Sequence, residues 1–337
     1  MDEFHFVGQG KFSLVAVENV YTCFPDDNGY RHQLSDGTWV FNRIPLAIDA
    51  YWKAWIGTIR LGRLQNANLI MIVSESSTTP RVLDEHHKRL NKKLLQAFNL
   101  LQLSGVLEYE GANLLCGSFF DGKSEIRQMS ELPFFYQTRG YTRTSVTTDR
   151  LQQAIQLRKG LEEMDSTPDE FKRLKWGWKV LIDGLQKEHG EERIHQFVRS
   201  LEALILPEIG RTKRQFTHRC QTFAKAGPNT KQIIEEAFEL RSMAEHLNDW
   251  EQALGPYQKD DREIIALHRT RQMEQLAAFA YSRILEGGPV REHFINEIKQ
   301  GEFWKLPDDG RKNLWGTQLD LTSIREAVAF DSWGRAL

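Results

Sequence analysis

The spacing of apolar residues changes near residue 145, and this change constrains the fold more than any single motif. Beyond it, apolar side chains recur every three or four residues, the period of a helix with one buried face. Before it, they stand in short β-branched or aromatic runs at residues 12–17, 38–41 and 68–73, which are typical of strands. The sequence therefore predicts an α+β protein, with a strand-rich N-terminal domain followed by an all-α helical bundle.

The first predicted domain covers residues 1–145, and we interpret the polar, hydroxyl-rich stretch 137–149 as a linker. Within this domain, residues 84–103 carry apolar side chains at helical spacing. Residues 106–109 and 113–120 have the character of a hairpin, with Glu110 and Gly111 in its turn.

The helical domain is predicted to span residues 150–300. Its helices are expected at residues 151–163, from the capping sequence Thr167-Pro168-Asp169-Glu170 onward, and at 191–206, 212–226, 230–254 and 261–286. A C-terminal segment, residues 301–337, contains Phe303, Trp304, Trp315 and Trp333. We expect these large aromatic side chains to pack on the body of the protein.

Composition excludes several classes of protein. No apolar run is long enough for a membrane span, and the N-terminus lacks the basic start and apolar run of a signal peptide. Three widely spaced cysteines argue against a disulfide framework or a cysteine zinc site. The acidic and histidine residues at 84–87 are better explained as a charged helix cap than as metal ligands. We expect a cytoplasmic protein without metal, cofactor or membrane partner.

The stretch 239–246 (ELRSMAEH) places Arg241 five residues before His246. Arginine can hold a phosphate by two parallel hydrogen bonds, and histidine can move a proton near pH 7. Together they are the minimum needed to break a phosphodiester without a metal. The spacing alone decides nothing, because the same Arg-x(4–6)-His pattern occurs at Arg81 with His86 and His87, at Arg211 with His218, and at Arg262 with His268.

Local charge favours the pair at Arg241. The net charge of the chain is −2, yet residues 209–234 contain six lysines or arginines and no acidic residue. Such a surface attracts phosphate groups, although a solvated basic helix face accounts for the same pattern. The candidate RNA- or phosphate-binding residues are Arg211, Lys213, Arg214, His218 and Arg219.

Three segments of the helical half resemble the HEPN domain, an all-α family of metal-independent ribonucleases, toxins and phage-defence proteins. They are residues 193–204 (RIHQFVRSLEAL), 214–216 (RQF) and 240–246 (LRSMAEH). Their order is similar to that of bacterial abortive-infection members, and the resemblance covers about residues 150–300.

The resemblance implies that Arg241 and His246 are the catalytic residues. Ser242 stands where the family frequently has Asn, Asp or His, and Leu247-Asn248 stands where many members have a glycine. These departures leave open an inactive member of the family.

Helix geometry adds a constraint on the pair. Positions five residues apart lie about 140° apart around a regular helix, so Arg241 and His246 do not lie side by side. Either the helix bends near Met243, or a second subunit completes the site. The resemblance implies the second, a homodimer with a composite cleft. Glu245 either holds the Arg241 guanidinium in place or forms an ordinary surface pair with it.

The predicted function is an endoribonuclease that leaves a 2′,3′-cyclic phosphate, acting as an antiphage-defence or toxin effector. RNA is the expected partner, with an antitoxin or a phage trigger as a further candidate. By analogy, the N-terminal domain would sense a trigger, restrain the nuclease or choose its substrate. One alternative is an inactive HEPN-like module that dimerises and binds a partner or a nucleotide. Another is the target half of a toxin–antidote pair.

Overall fold

The computed structural model describes residues 9–24, 29–105, 107–136 and 145–324. The chain divides into two compact units. The first comprises Met1–Phe134 and Arg143–Arg158, and the second comprises Phe135–Thr142 and Lys159–Leu337. An antiparallel sheet lies in the first unit and helices dominate the second, which confirms the predicted α+β class.

One six-stranded antiparallel sheet forms the centre of the first unit. Its strands are β1 (Gly10–Glu18), β2 (Arg31–Gln33), β3 (Trp39–Phe41), β4 (Ala67–Ser76), β5 (Gly111–Phe120) and β6 (Lys123–Glu131). They follow the order β2-β3-β4-β1-β5-β6. The predicted strands at residues 12–17, 38–41 and 68–73 are confirmed as β1, β3 and β4.

The predicted position of the hairpin turn is wrong. Gly111 begins β5, and the hairpin connects β5 to β6 through Asp121 and Gly122. Both loop residues have positive φ, 52° and 72°, as a two-residue Asp-Gly hairpin loop requires. Residues 107–109 form no strand, and residue 106 lies outside the described residues.

The helices in chain order are α1 (Ala50–Ile56), α2 (Thr58–Asn66), α3 (Glu85–Leu101), α4 (Thr148–Asp165), α5 (Lys172–Leu185), α6 (Gly190–Ile205), α7 (Thr212–Cys220), α8 (Pro228–Glu245), α9 (Arg262–Leu285), α10 (Pro289–Glu292), α11 (Glu297–Lys305) and α12 (Asp308–Trp315). The division between the two units falls within α4. None of the described helices is long and apolar enough to cross a membrane.

The start of α3 is a helix cap, as predicted. The Asp84 side chain accepts hydrogen bonds from the backbone N–H groups of His86 and His87. A carboxylate at this position satisfies N–H groups that have no partner within the helix. Among the described residues, no group of three or more His, Cys, Asp or Glu side chains could hold a metal ion.

Three predicted helix boundaries are wrong. Residues 167–170 form a turn and α5 begins only at Lys172, because Phe171 has a left-handed φ of 56°. Helix α7 ends at Cys220 rather than at residue 226, since the Gln318 amide binds the carbonyls that a longer helix would use. The third boundary, the end of α8, lies at the candidate site.

Two predicted segments fall partly outside the described residues. Residues 137–144 of the predicted linker are not described, and its last two residues, Thr148 and Asp149, begin α4. In the C-terminal segment, Phe303, Trp304 and Trp315 are buried within the second unit, as predicted. Trp333 lies outside the described residues.

Packing against α5 and α9 fixes the position of α6, the helix that carries much of the candidate site. A Cβ atom at Gly177 would lie 1.9 Å from the Tyr281 hydroxyl, so α5 approaches α9 this closely only with glycine. The Tyr281 hydroxyl donates a 3.0 Å hydrogen bond to the Ser200 carbonyl of α6. Arg193, also on α6, forms a 2.5 Å ion pair with Glu274 of α9, and their side chains are only 3% and 5% exposed.

Candidate active site and basic groove

Helix α8 ends within the Arg241–His246 motif. His246 is the C-cap residue, and the N–H groups of Leu247 and Asn248 donate to the carbonyls of Ala244 and Met243. This pair of bonds is the Schellman motif, whose first residue beyond the cap is left-handed. Leu247 takes that conformation with φ 55°, one that glycine adopts without cost. A leucine therefore holds a glycine-like position where the HEPN resemblance leads us to expect glycine.

The prediction that this helix continues to residue 254 is wrong. A separate 3-10 helix covers Trp250–Leu254, and His246 lies just past the last helical residue with an exposed side chain. Helix α8 continues through Met243 to Glu245, so a break at Met243 does not bring Arg241 and His246 together. Within the described chain, no hydrogen bond or ion pair joins these two side chains.

The Arg241 guanidinium lies between α6 and α8 with its side chain 16% exposed. Its Nη2 atom is 3.2 Å from a Glu202 carboxylate oxygen on α6, and its Nη1 atom pairs with Glu245 one turn further along α8. The guanidinium also lies 5.7 Å from the centre of the Phe238 ring. Arg241 therefore has a fixed orientation, and Glu245 makes the contact that its spacing predicts.

The two carboxylates beside Arg241 differ in their surroundings. Burial raises the pKa of Glu202, and the nearby charge of Arg241 acts in the opposite direction. The Glu245 side chain is 41% exposed. An exposed ion pair contributes little free energy, so an incoming anion can replace Glu245 more readily than Glu202.

His195 of α6 is a residue that the sequence did not single out. Burial lowers its pKa, and the charges of Arg241 and Arg199 lower it further, while Glu245 acts in the opposite direction. His195 lines the same groove as Glu245, the ion-pair partner of Arg241. It shares an open groove of about 510 Å³ whose lining residues are Glu191, Glu192, His195, Arg199, Ala244, Glu245 and Leu247.

The five predicted phosphate-binding residues lie together in a second depression of the same unit, which we call the basic groove. Its volume is about 860 Å³, and it is lined by Gly210, Arg211, Thr212, Lys213, Arg214, Gln215, Thr217, His218, Arg219, Gln221, Lys231, Glu235, Trp304 and Arg311. Six of these residues are lysine or arginine and one is acidic. Lys231, Trp304 and Arg311 come from three other helices, and sequence reasoning missed them.

The cations of the basic groove fall into two groups. Arg219 donates to the carbonyls of Ile205 and Leu206, both at 2.7 Å, and Arg311, which is 5% exposed, donates to those of Trp304 and Leu306. Both guanidiniums lie over the Trp304 ring. These two arginines therefore shape the wall of the groove.

The other cations are available to a ligand. Arg211 pairs with Glu208, Lys213 with Glu239 and His218 with Asp308, all in exposed pairs of the kind that contributes little stability. Arg214 is exposed and forms no ion pair with any residue that the structure describes.

Helix α8 contributes residues to both depressions. Glu239, two residues before Arg241, binds Lys213 of the basic groove. On a regular helix, Glu235, Glu239 and His246 fall within about 40° of one another, and His246 is the C-cap residue with φ −92° and ψ 9°. The helical repeat therefore puts the backbone of His246 on the Glu239 side of α8, while the Arg241 side chain contacts Glu202 of α6.

No protein-family model, curated protein or solved structure matches this chain. The resemblance to HEPN proteins therefore rests on the three segments quoted above. Any function must be argued from the geometry of the site itself.

Proposed function

We propose that this protein is a metal-independent endoribonuclease in which Arg241 binds the scissile phosphate and His246 transfers a proton. The observation that carries the proposal is the setting of Arg241. Its guanidinium is oriented by the partly buried Glu202 and pairs with Glu245, which lines an open groove together with His195. Arg241 also belongs to α8, the helix that supplies Lys231 and Glu235 to the basic groove. A preorganised cation of this kind stabilises charge that develops on phosphoryl oxygens.

The chemistry is an internal transfer within RNA. The ribose 2′-oxygen attacks the phosphorus, the bond from phosphorus to the 5′-oxygen breaks, and a histidine moves the proton. The products are a 2′,3′-cyclic phosphate and a 5′-hydroxyl. DNA lacks the 2′-hydroxyl and should resist cleavage.

Substrate binding would exchange one anion for another at Arg241. The phosphate replaces the exposed Glu245 carboxylate, while Glu202 keeps the guanidinium oriented from the other side. Arginine can then hold two phosphate oxygens in parallel hydrogen bonds. The phosphates on either side of the cleavage point follow the basic groove, whose exposed cations neutralise them.

We further propose that the active form is a homodimer. Arg241 and His246 lie on different faces of α8, so a second copy could bring its histidine to this arginine. Leu247, next to His246, is 94% exposed, and a twofold contact would cover it. The physiological role that fits this chemistry is a cytoplasmic antiphage or toxin effector, with the first unit sensing a phage trigger or an antitoxin.

The test is a cleavage assay with purified full-length protein in the presence of EDTA. We expect single-stranded RNA to be cut into fragments with 2′,3′-cyclic phosphate and 5′-hydroxyl ends. The same oligonucleotide with deoxyribose throughout should remain intact. A requirement for a divalent metal, or equal cleavage of the DNA strand, would contradict the proposal.

The salt dependence of RNA binding tests the basic groove separately. Arg214→Gln is expected to weaken binding of single-stranded RNA and to reduce the slope of log K against log salt concentration by about 0.7, the value for one lost phosphate contact on a single strand. Arg60→Gln is the control, because Arg60 is an exposed arginine of α2 in the first unit. An unchanged slope in Arg214→Gln would remove this residue from the RNA-binding surface.

A second candidate function follows from the ion pairs of Arg241. The guanidinium is already neutralised by two carboxylates, an arrangement that also suits a structural residue in a binding module. Such a protein would dimerise and bind RNA or another partner without cutting it. Tight RNA binding with no cleavage by the wild-type protein would favour this function.

A further inference from the structure

The seam between α6 and α8 contains three buried polar atoms without a hydrogen-bond partner among the described residues. They are Nε2 of His195, Oε1 of Glu202 and Nε of Arg241. Buried polar atoms in proteins nearly always have a partner, and an unpaired one destabilises the fold. Three such atoms along one helix–helix contact indicate that these side chains have a role other than stabilising the fold.

Two of these groups, on Arg241 and His195, are chemically suited to a phosphodiester undergoing cleavage, while the Glu202 carboxylate holds Arg241. Arg241 offers an N–H donor to a phosphoryl oxygen, and the His195 ring can accept or donate a proton. Its second ring nitrogen, Nδ1, is not among the buried atoms without a partner, and the ring lines the open groove. A substrate in this groove would therefore meet His195 directly.

We propose that His195 is a further catalytic residue of the Arg241 site, acting as the base that removes the 2′-hydroxyl proton. This inference rests on the proposed ribonuclease function and deepens it. It assigns the base to α6 of the chain that supplies Arg241, and it leaves His246 as the acid.

The charges around His195 favour a neutral ring. Arg199 and Glu202 lie on its own helix, together with Glu191 and Glu192 at the groove, and Arg241 and Glu245 face it from α8. Burial and the two arginines together lower the pKa of His195. A neutral imidazole at pH 7 can accept a proton, as a general base must.

The proton balance of the step is complete. The 2′-hydroxyl proton passes to His195 as the bond from the 2′-oxygen to phosphorus forms. The bond from phosphorus to the 5′-oxygen then breaks, and the 5′-oxygen takes a proton from protonated His246. After product release, His195 loses its proton to water and His246 regains one. The cycle therefore requires neither an oxidant nor a metal.

The test compares His195→Gln with His189→Gln in the full-length protein. Both residues belong to the start of α6, but His189 is the exposed N-cap residue and does not line the groove. We expect His195→Gln to lower kcat by about 10²–10⁴-fold, with little change in KM, and to abolish the rise of kcat with pH on the acidic side. His189→Gln should keep the wild-type profile. A wild-type kcat and pH profile in His195→Gln would overturn the assignment.

A second measurement does not depend on catalysis. NMR titration of the His195 ring should show its pKa rising in Arg241→Gln, since a neighbouring positive charge is removed, and rising in the wild-type protein when inorganic phosphate is added. His189, which does not line the groove, provides the control signal. If the pKa of His195 changes in neither experiment, this inference is overturned even if the protein cuts RNA. Absence of cleavage by the wild-type protein would instead overturn the ribonuclease proposal.

Discussion

Replacing Arg241 with lysine is expected to lower the rate of RNA cleavage by about 10²–10³-fold, the usual cost of removing one preorganised donor to a developing oxyanion. Lysine keeps the positive charge opposite the partly buried Glu202, so the fold should survive. It lacks the planar fork that binds two phosphate oxygens at once. The measurement is single-turnover cleavage of RNA, with circular dichroism to confirm the fold.

The control for this prediction is Arg60→Lys on α2 of the first unit, which should cleave RNA at the wild-type rate. His246→Ala provides a second comparison and should lower the rate by about 10²–10⁴-fold, the range for a lost acid–base group. Arg241→Lys with unchanged kcat would show that Arg241 serves only to join α6 to α8.

Replacing Glu274 with alanine is expected to lower the free energy of unfolding by about 3–5 kcal/mol, because it leaves the buried Arg193 guanidinium without its counterion. Arg193 also donates to the Tyr136 carbonyl, so one substitution disturbs several contacts at the start of α6. Urea denaturation followed by circular dichroism measures the change. We expect RNA cleavage to fall together with stability, because His195 and Glu202 lie on the same helix as Arg193.

Glu286→Ala serves as the matched control for this second prediction. Glu286 caps the same helix, α9, and pairs with Arg283 at 3.2 Å in an exposed ion pair. Its loss should cost about 0.2–1 kcal/mol. If the two variants have similar stability, the buried pair contributes no more than a surface pair.

The apolar period predicted the helices well where a helix has one buried face. Helices α3 and α6 follow their predicted ranges closely, because their buried residues recur at helical intervals. The period failed where a polar contact ends the helix. At α8, Leu247 prolongs the apolar stripe in the sequence, yet it is exposed and left-handed because the Schellman bonds close the helix before it.

The candidate site was only half visible in the sequence. Arg241 and Glu245 are four residues apart, so their contact follows from helix geometry alone. Glu202 and His195 precede Arg241 by about forty residues, and only the packing of α6 against α8 brings them together. A weak signal was present: the polar residues at positions 195, 199 and 202 are spaced by four and three residues, so they form a stripe on one side of α6. That stripe marks the side of α6 that faces the groove.

The end of α8 at Glu245 also affects how such a motif can change in evolution. On an uninterrupted helix, inserting one residue between arginine and histidine would turn the histidine by about 100° and remove it from its place. Here His246 follows the last helical residue, so an insertion beside it can be taken up by the loop, and Arg241 keeps its contact with Glu202. The arginine belongs to the helix and the histidine to the loop that follows it. The number of residues between them can therefore vary without changing the arrangement of the active site.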